Sequence, residues 1–277
     1  MTDKMTESRA PLRLNRRMDT SMPVCADCEE LLTSGTYGAI FSSKQTPATE
    51  VIKGTLRRHG ELGCPEDFKN EFRMARLTTK VLDLFNDSAW YRSSSRPWKR
   101  PIVASARPRA WRLEDGGCFY SMDRIYPLPG REELLELTPG RTNDAVVGGA
   151  LRGLTKWKKL GAASTDVLLR EVFGITLDDW AALLGRFVGL CHRAGLVLND
   201  VEFIVGTLGP IHPPQIFLVD FDKVYLSKPA SGPIESINRL TLSQFPSDRT
   251  AFTQAYKATL EASPRDDASL LSVVTPP

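Results

Sequence analysis

The sequence predicts an α+β fold of two units, an antiparallel β-sheet with one helix followed by a mainly helical, shortened unit. Apolar runs of strand length, separated by glycine- and serine-containing turns, cluster between residues 31 and 54. Amphipathic helix patterns follow at 65–85 and 176–195, and an apolar strand at 215–219 ends in carboxylates. We therefore expect a disordered leader over 1–26, a first unit over 27–125, a second unit over 126–265 and a disordered tail over 266–277.

The composition is that of an ordinary globular protein with ample material for a core, since 42% of the 277 residues are hydrophobic and 25% are charged. No apolar run is long enough to span a membrane, and the first 24 residues lack the apolar segment of a secretory signal. The expected location is therefore intracellular, in the cytoplasm first, with the nucleus left open.

Five cysteines form no even disulfide framework, so an intracellular chain is expected to keep them as free thiols. Cys25 and Cys28 make a single C-x-x-C, and a zinc site would need a second pair or nearby histidines. We interpret the two as incidental cysteines in a flexible segment.

The formal charge of +3 does not call for a nucleic-acid partner, although residues 92–112 are rich in arginine and contain two tryptophans. No helix period or nucleic-acid motif accompanies this charge, so we interpret it as part of an irregular, basic, solvated insertion over about 87–115. No membrane partner is expected, and a protein partner stays open.

Residues 31–41 predict a β-hairpin with Gly35 and Gly38 at its tip, and residues 51–54 predict a third strand that carries Lys53. Glycines at a tip let backbone N–H groups approach a phosphate closely, and a strand lysine can supply a positive charge beside it. The alternative is a glycine pair needed only for turn geometry and a solvated lysine.

A helix follows from Pro65, with Glu71 beside the apolar stripe formed by Phe68, Phe72, Ala75, Leu82 and Phe85. Glu71 is either an exposed helical residue or the partner that fixes Lys53 on a phosphate. Residues 117–125 predict a strand, and residues 126–130 predict a hinge.

In the second unit, residues 144–161 and 164–174 predict helical pieces, and a capping box of Thr176 and Asp179 begins a long core helix that Gly195 ends. His192 is expected to interact with the dipole at the end of that helix. A final helix is predicted over 247–260.

Three carboxylates, Asp200, Asp220 and Asp222, lie where predicted ordered elements give way to turns. Carboxylates anchored at such ends can bind a cation or accept a proton. Structural capping of the turns is the alternative.

The order of glycine hairpin, strand lysine, helix glutamate, hinge, core helix, loop aspartate and Asp-Phe-x resembles the protein-kinase-like fold over about residues 31–223. The resemblance implies that Gly35, Gly38, Lys53 and Glu71 bind ATP, that Asp200 is the catalytic-loop aspartate, and that Asp220 binds Mg²⁺. Asp222 and Glu202 are additional candidate magnesium ligands.

Two segments are similar to a fungal family of kinase-like proteins of unknown activity, some of which carry a zinc-finger label. They are Asn-Asp-Val-Glu-Phe-Ile-Val-Gly at 199–206 and Leu-Val-Asp-Phe-Asp at 218–222. Nothing in the sequence supports zinc binding.

Several departures from protein kinases change the expected substrate. Val205 stands where kinases place a metal-binding asparagine, Leu198 and Asn199 replace the usual His-Arg, and the chain after Asp222 is short. The resemblance therefore implies an ATP- and Mg²⁺-dependent phosphotransferase of the aminoglycoside and choline type, acting on a small hydroxyl-bearing molecule. The alternative is an inactive, pseudokinase-like binding or regulatory module.

Overall fold

The computed structural model describes residues 25–34, 38–55, 57–58, 61–62, 65–88, 102–114, 117–137, 150–152, 155–199, 201–221, 223–227, 245–246 and 249–262. The larger elements of the first half are β1 (Cys28–Ser34), β2 (Gly38–Ser43), β3 (Glu50–Thr55), a two-stranded ribbon of β4 (Arg57–Arg58) and β5 (Glu61–Leu62), α1 (Pro65–Asp87), β6 (Val103–Ser105), β7 (Pro108–Glu114) and β8 (Gly117–Asp123). The second half contains β9 (Leu134–Leu137), β10 (Ala150–Arg152), β11 (Thr155–Leu160), α2 (Ala162–Phe173), α3 (Leu177–Arg193), β12 (Leu196–Val197), β13 (Glu202–Gly206), β14 (Gln215–Val219), β15 (Tyr225–Leu226) and α4 (Thr250–Glu261).

The fold is a mixed α+β structure with two main sheets, which confirms the predicted class. The first sheet has the order β1-β2-β3-β8-β7, and each neighbouring pair is antiparallel. The predicted hairpin and third strand are both present, and β3 lies at the centre of the sheet. A central strand has hydrogen-bonded neighbours on both sides, so a side chain on it is held in a well-defined direction.

Helix α1 packs against this sheet and also reaches the second half of the chain. Acidic residues in its first turn complement the helix dipole, and the predicted apolar stripe faces inward. Near its start, Phe68 and Phe72 contact Trp111 and Tyr120 of β7 and β8. Near its end, Phe85 packs on Phe187 of α3. One helix therefore joins the core of both halves.

The irregular insertion expected over 87–115 is partly β-strand, because β6 and β7 occupy its second half. The burial along β7 places Trp111 against α1, while the neighbouring arginines point outward. Each described arginine of the basic segment is paired: Arg107 with Asp83, Arg109 with Glu50 and Asp123, and Arg112 with Asp27. These arginines therefore pair within the fold, while residues 92–101 of the segment lie outside the described residues.

The second sheet, ordered β10-β11-β9-β13-β14-β6, corrects the prediction of a mainly helical second unit. The helical piece predicted over 144–161 is wrong, because residues 155–160 run parallel to β9 as strand β11. Strand β6, from the first half of the chain, pairs in parallel with β14. The predicted strand over 215–219 is confirmed as β14, which forms an antiparallel hairpin with β13.

Helix α3 is the core helix that the sequence predicts. Thr176 and Asp179 form the capping box in both directions, and Gly195 follows the helix at φ 77°. Gly185 and Gly189 allow close approach of α4, since a Cβ at Gly185 would lie 2.3 Å from the Phe252 carbonyl oxygen. Among the four helices that the structure describes, none combines the length and apolar character that a membrane crossing requires.

The turn at Cys25–Cys28 is ordered, which corrects the interpretation of incidental cysteines in a flexible segment. Cys25 is buried against Ile52 and Phe119 on one face of the first sheet. The Ala26 N–H donates to Glu114 of β7, while Lys44, after β2, donates to the Ala26 carbonyl oxygen. Because these contacts join the turn to β7 and to the residue after β2, the turn has a structural role. The four described cysteines are free thiols, and burial raises the pKa of Cys25. The leader before residue 25 and the tail from residue 266 lie outside the described residues.

His192 is not the charged dipole partner that its position predicts. Its ring is buried, Nδ1 lies 2.7 Å from the Tyr256 hydroxyl, and burial lowers its pKa from 6.5 to about 4. The imidazole is therefore neutral at physiological pH and belongs to the α3–α4 core.

This burial predicts acid sensitivity. The unfolded chain binds a proton at His192 below about pH 6.5, and the folded chain does so only near pH 4, so stability is lost as pH falls through this window. The His192 contribution to the unfolding free energy should fall by about 2 kcal/mol between pH 7.5 and 5.0. Urea titrations of wild type and His192→Gln at both pH values measure this loss, and an equal loss in the variant would contradict it.

The close approach of α4 to α3 gives a second prediction. Gly185→Ala should lower the unfolding free energy by about 3 kcal/mol, because its methyl group would overlap backbone atoms of α4. Gly174→Ala is the matched control: nothing lies within 4 Å of its Cβ position, so only its φ of 69° opposes the change, at a cost of about 1 kcal/mol. Similar losses in the two variants would exclude tight helix contact as the cause.

Candidate functional site

Lys53 lies on the central strand of the first sheet with only 15% of its side chain exposed. Gly38, on the neighbouring strand β2, lies beside the Lys53 side chain. A Cβ added at Gly38 would lie 3.2 Å from the Lys53 Cε and 3.2 Å from the Gly54 carbonyl oxygen. Glycine at this position therefore leaves the space through which the lysine side chain runs. The alternative of a solvated lysine is therefore wrong.

Glu71 is the first partner of Lys53. Its Oε1 lies 2.5 Å from the Lys53 Nζ, and its side chain is 5% exposed, so the helix glutamate is buried and paired. The sequence places the two residues 18 positions apart, on a strand and on the helix after it. The structure brings them together because α1 packs on the face of the first sheet, against β7 and against β8, the neighbour of β3.

Tyr120 is a member of this cluster that sequence reasoning missed. It lies directly opposite Lys53 in the β3–β8 register, and its hydroxyl donates to Glu71 Oε1 over 2.8 Å. Cross-strand partners share a face of a sheet, so a predicted pairing of β3 with 117–123 could have pointed to Tyr120. The register was not available from the pattern alone.

Asp220 is the third residue around the lysine ammonium. It follows the last residue of β14, and its Oδ1 lies 3.3 Å from the Lys53 Nζ although 167 positions separate the two residues. Its backbone adopts φ 61°, the only positive φ at a non-glycine residue among the described positions. Such strain occurs where a side chain must be held in a particular place. With 38% of its side chain exposed, Asp220 keeps an open side toward solvent.

The electrostatics of the cluster keep the lysine charged. Burial disfavours the ammonium, but attraction to the carboxylates of Glu71 and Asp220 outweighs it and holds the pKa of Lys53 well above its ordinary value. Burial, followed by the nearby carboxylates, raises the pKa of Tyr120 well above 10, although the Lys53 charge opposes this. The tyrosine therefore stays a hydrogen-bond donor, and the site presents a permanent cation beside a half-exposed carboxylate.

Three of the predicted site residues, Gly35, Asp200 and Asp222, lie outside the described residues. Glu202 is described as the first residue of β13, where it pairs with Val219, the residue before Asp220. Val205 is fully buried within β13. Among the described positions no three His, Cys, Asp or Glu side chains form a group that could hold a metal ion alone.

The described residues fit a magnesium nucleotide in two respects. The missing Cβ at Gly38 leaves room for the Lys53 side chain, whose ammonium can pair with phosphate oxygens. Asp220 offers a hard carboxylate oxygen, and Mg²⁺ in nucleotide sites is bound by one or two carboxylates together with phosphates and water. Such a site does not need a cage of three protein ligands.

No protein family matches the chain, and no curated protein matches it. Among solved structures, it is similar to SAICAR synthase from Saccharomyces cerevisiae in complex with SAICAR, at 11% identity over 89% of this chain and 97% of that chain, with a TM-score of 0.30. A likeness at this TM-score carries no argument about fold or function.

The backbone of Asp220 gives a stability prediction. At φ 61° an alanine pays the cost of a left-handed conformation and a glycine does not, so Asp220→Gly should be more stable than Asp220→Ala by about 1 kcal/mol. At the exposed helical position Lys69 the order should reverse, with Lys69→Ala more stable than Lys69→Gly by about 1 kcal/mol. Urea denaturation of the four variants measures both differences, and alanine being preferred at both positions would argue against strain at Asp220.

Proposed function

We propose that the chain is an ATP- and Mg²⁺-dependent phosphotransferase acting on a small hydroxyl-bearing molecule, with a two-lobed protein-kinase-like arrangement. The observation that carries the proposal is the meeting of Lys53 Nζ with both buried Glu71 and half-exposed Asp220. These residues come from a strand, a helix and a distant strand end. The sequence resemblance predicts this grouping, and solvated surface residues would not meet in this way.

The chain topology supports the same proposal. The first sheet is followed by a segment at 124–131 and, after β9 to β11 and α2, by α3, β12 and the β13–β14 hairpin, with Asp220 at its end. The proposal includes membership of the fungal kinase-like family, and its basis is the sequence of the two segments at 199–206 and 218–222.

Lys53 has the role of a fixed positive charge for phosphate oxygens. Glu71 holds the ammonium in one place, so that little reorganisation is needed when an anionic ligand arrives. Gly38, and Gly35 before it, would allow backbone N–H groups to approach the phosphates. The bound magnesium nucleotide would supply the phosphoryl group.

The carboxylates have the complementary roles. Asp220 would bind Mg²⁺, with Asp222 or Glu202 as a second oxygen ligand near the same hairpin end. Asp200 would orient the acceptor hydroxyl and take its proton.

A second candidate is a binding or regulatory module without chemistry. It is favoured by Val205, which has no exposed surface and occupies the position of a metal-binding asparagine in the resemblance. A site with one metal fewer can still bind a nucleotide. Binding and turnover must therefore be measured separately.

The first test is calorimetric titration of ATP into wild type and Lys53→Met, each with and without Mg²⁺. Wild type should bind in a magnesium-dependent manner, and Lys53→Met should bind at least about tenfold more weakly, because a charge-assisted contact to phosphate is lost. Lys159→Met is the matched control, since Lys159 also pairs at 2.5 Å with a buried glutamate, Glu136, on a neighbouring strand. Its affinity should equal that of wild type.

Turnover is then followed by ³¹P NMR with a pool of small hydroxyl compounds. ADP and a new phosphomonoester signal that both disappear in Asp220→Asn support the phosphotransferase. Magnesium-dependent binding without turnover favours the binding module. Absence of binding in the folded wild type rejects both nucleotide proposals.

A further inference from the structure

Tyr120 lies at the centre of the cluster, although neither the sequence resemblance nor the proposed function assigns it a role. We propose that Tyr120 is a positioning residue, which fixes Glu71 so that the Lys53 ammonium stays available to phosphate and is not drawn to Asp220. The inference rests on the proposed function for its biological meaning. Its physical content, the control of Lys53 by a tyrosine hydroxyl, stands on the geometry.

The first step is the shared acceptor. Lys53 Nζ and the Tyr120 hydroxyl both donate to the same oxygen, Glu71 Oε1, at 2.5 and 2.8 Å. The three side chains are almost completely enclosed, so water does not readily replace either donor. Removing the hydroxyl leaves the carboxylate with one fewer of these bonds and more freedom to rotate.

The second step is the rigidity of the donor. The Tyr120 ring packs against both Phe68 and Phe72 of α1, with centroid distances of 5.3 and 5.5 Å. These two residues are one helical turn apart, and Glu71 lies between them in sequence on the same helix. The packing holds the ring, and the ring delivers its hydroxyl to the carboxylate.

The third step is the competition for Lys53. Asp220 Oδ1 is already 3.3 Å from the ammonium, so it is ready to take a larger share if Glu71 moves. Closer pairing with Asp220 would occupy the carboxylate oxygen proposed for Mg²⁺. A phenylalanine at position 120 should therefore weaken magnesium-nucleotide binding although it keeps the ring and its packing.

Two measurements on full-length protein test the inference, with Tyr256→Phe as the matched control. Tyr256 is also buried, and its hydroxyl also has a polar partner, since it lies 2.7 Å from Nδ1 of His192, but it lies in the α3–α4 core. Calorimetry with Mg²⁺-ATP should show about tenfold weaker binding for Tyr120→Phe and none of this loss for Tyr256→Phe. Thermal unfolding confirms that both variants are folded at the titration temperature.

The second measurement needs no nucleotide. Acylation of Lys53 by an N-hydroxysuccinimide ester at pH 9, followed by mass spectrometry, reports how accessible the Lys53 amine is. The rate should rise about fivefold in Tyr120→Phe, because without the hydrogen bond that holds Glu71 in place, Lys53 leaves its enclosed position about fivefold more often. Glu71→Gln should give a larger rise, and Tyr256→Phe none.

The outcomes separate the two proposals. Wild-type rates and affinity in Tyr120→Phe would overturn the positioning role, as would an equal effect of Tyr256→Phe. A wild type that does not bind nucleotide would reject the proposed function. In that case the acylation rates alone decide whether Tyr120 positions Lys53.

Discussion

A lysine that is largely enclosed by protein needs negative charge beside it, and the arrangement around Lys53 follows from that need. Desolvation of an unpaired ammonium costs several kcal/mol, which only close carboxylates can offset. Glu71 meets this need from α1 and Asp220 from the end of β14. Helix α1 and the end of the β13–β14 hairpin therefore each place a carboxylate beside one atom, the Lys53 Nζ.

Strand pairing and hydrogen bonds also link the two halves of the chain, in addition to the ion pair between Lys53 and Asp220. Strand β6 comes from the first half and pairs with β14 in the second sheet, and the Asn86 side chain of α1 donates to the Val103 carbonyl oxygen. At the far side, Tyr126 and Thr207 exchange backbone hydrogen bonds. Because a Cβ at Gly206 would lie 2.5 Å from the Tyr126 carbonyl oxygen, glycine is what permits this approach. Such cross-links keep Lys53, Glu71 and Asp220 assembled before any ligand binds.

The sequence predicted best what depends on local pattern. The hairpin, strand β3, the α1 stripe, the Thr176 capping box and strand β14 all follow from periodicity or from capping chemistry, and all are confirmed. The wrong predictions concern long-range pairing. Residues 155–160 become a strand because β9 offers a parallel edge, and β6 is a strand because β14 does. A short segment with mixed pattern takes its conformation from its neighbours, which the local sequence does not reveal.

The same division holds at the candidate site. Lys53, Glu71 and Asp220 could be named from their types and their order along the chain, and the structure brings them together. Tyr120 could not be named, because its role depends on the register that sets it opposite Lys53. His192 shows the reverse error, since its place at a helix end suggested a charge while α4 buries it as a neutral ring.

The strained backbone at Asp220 bears on whether this cluster is only structural. A glycine would adopt φ 61° at no steric cost, and Lys53 would still be neutralised by Glu71. Because 38% of the Asp220 side chain is exposed, solvent screens its attraction to Lys53, and its contribution to stability is smaller than that of Glu71. The proposed function would give this aspartate a use, because a phosphate with its magnesium ion needs both a cation and a carboxylate.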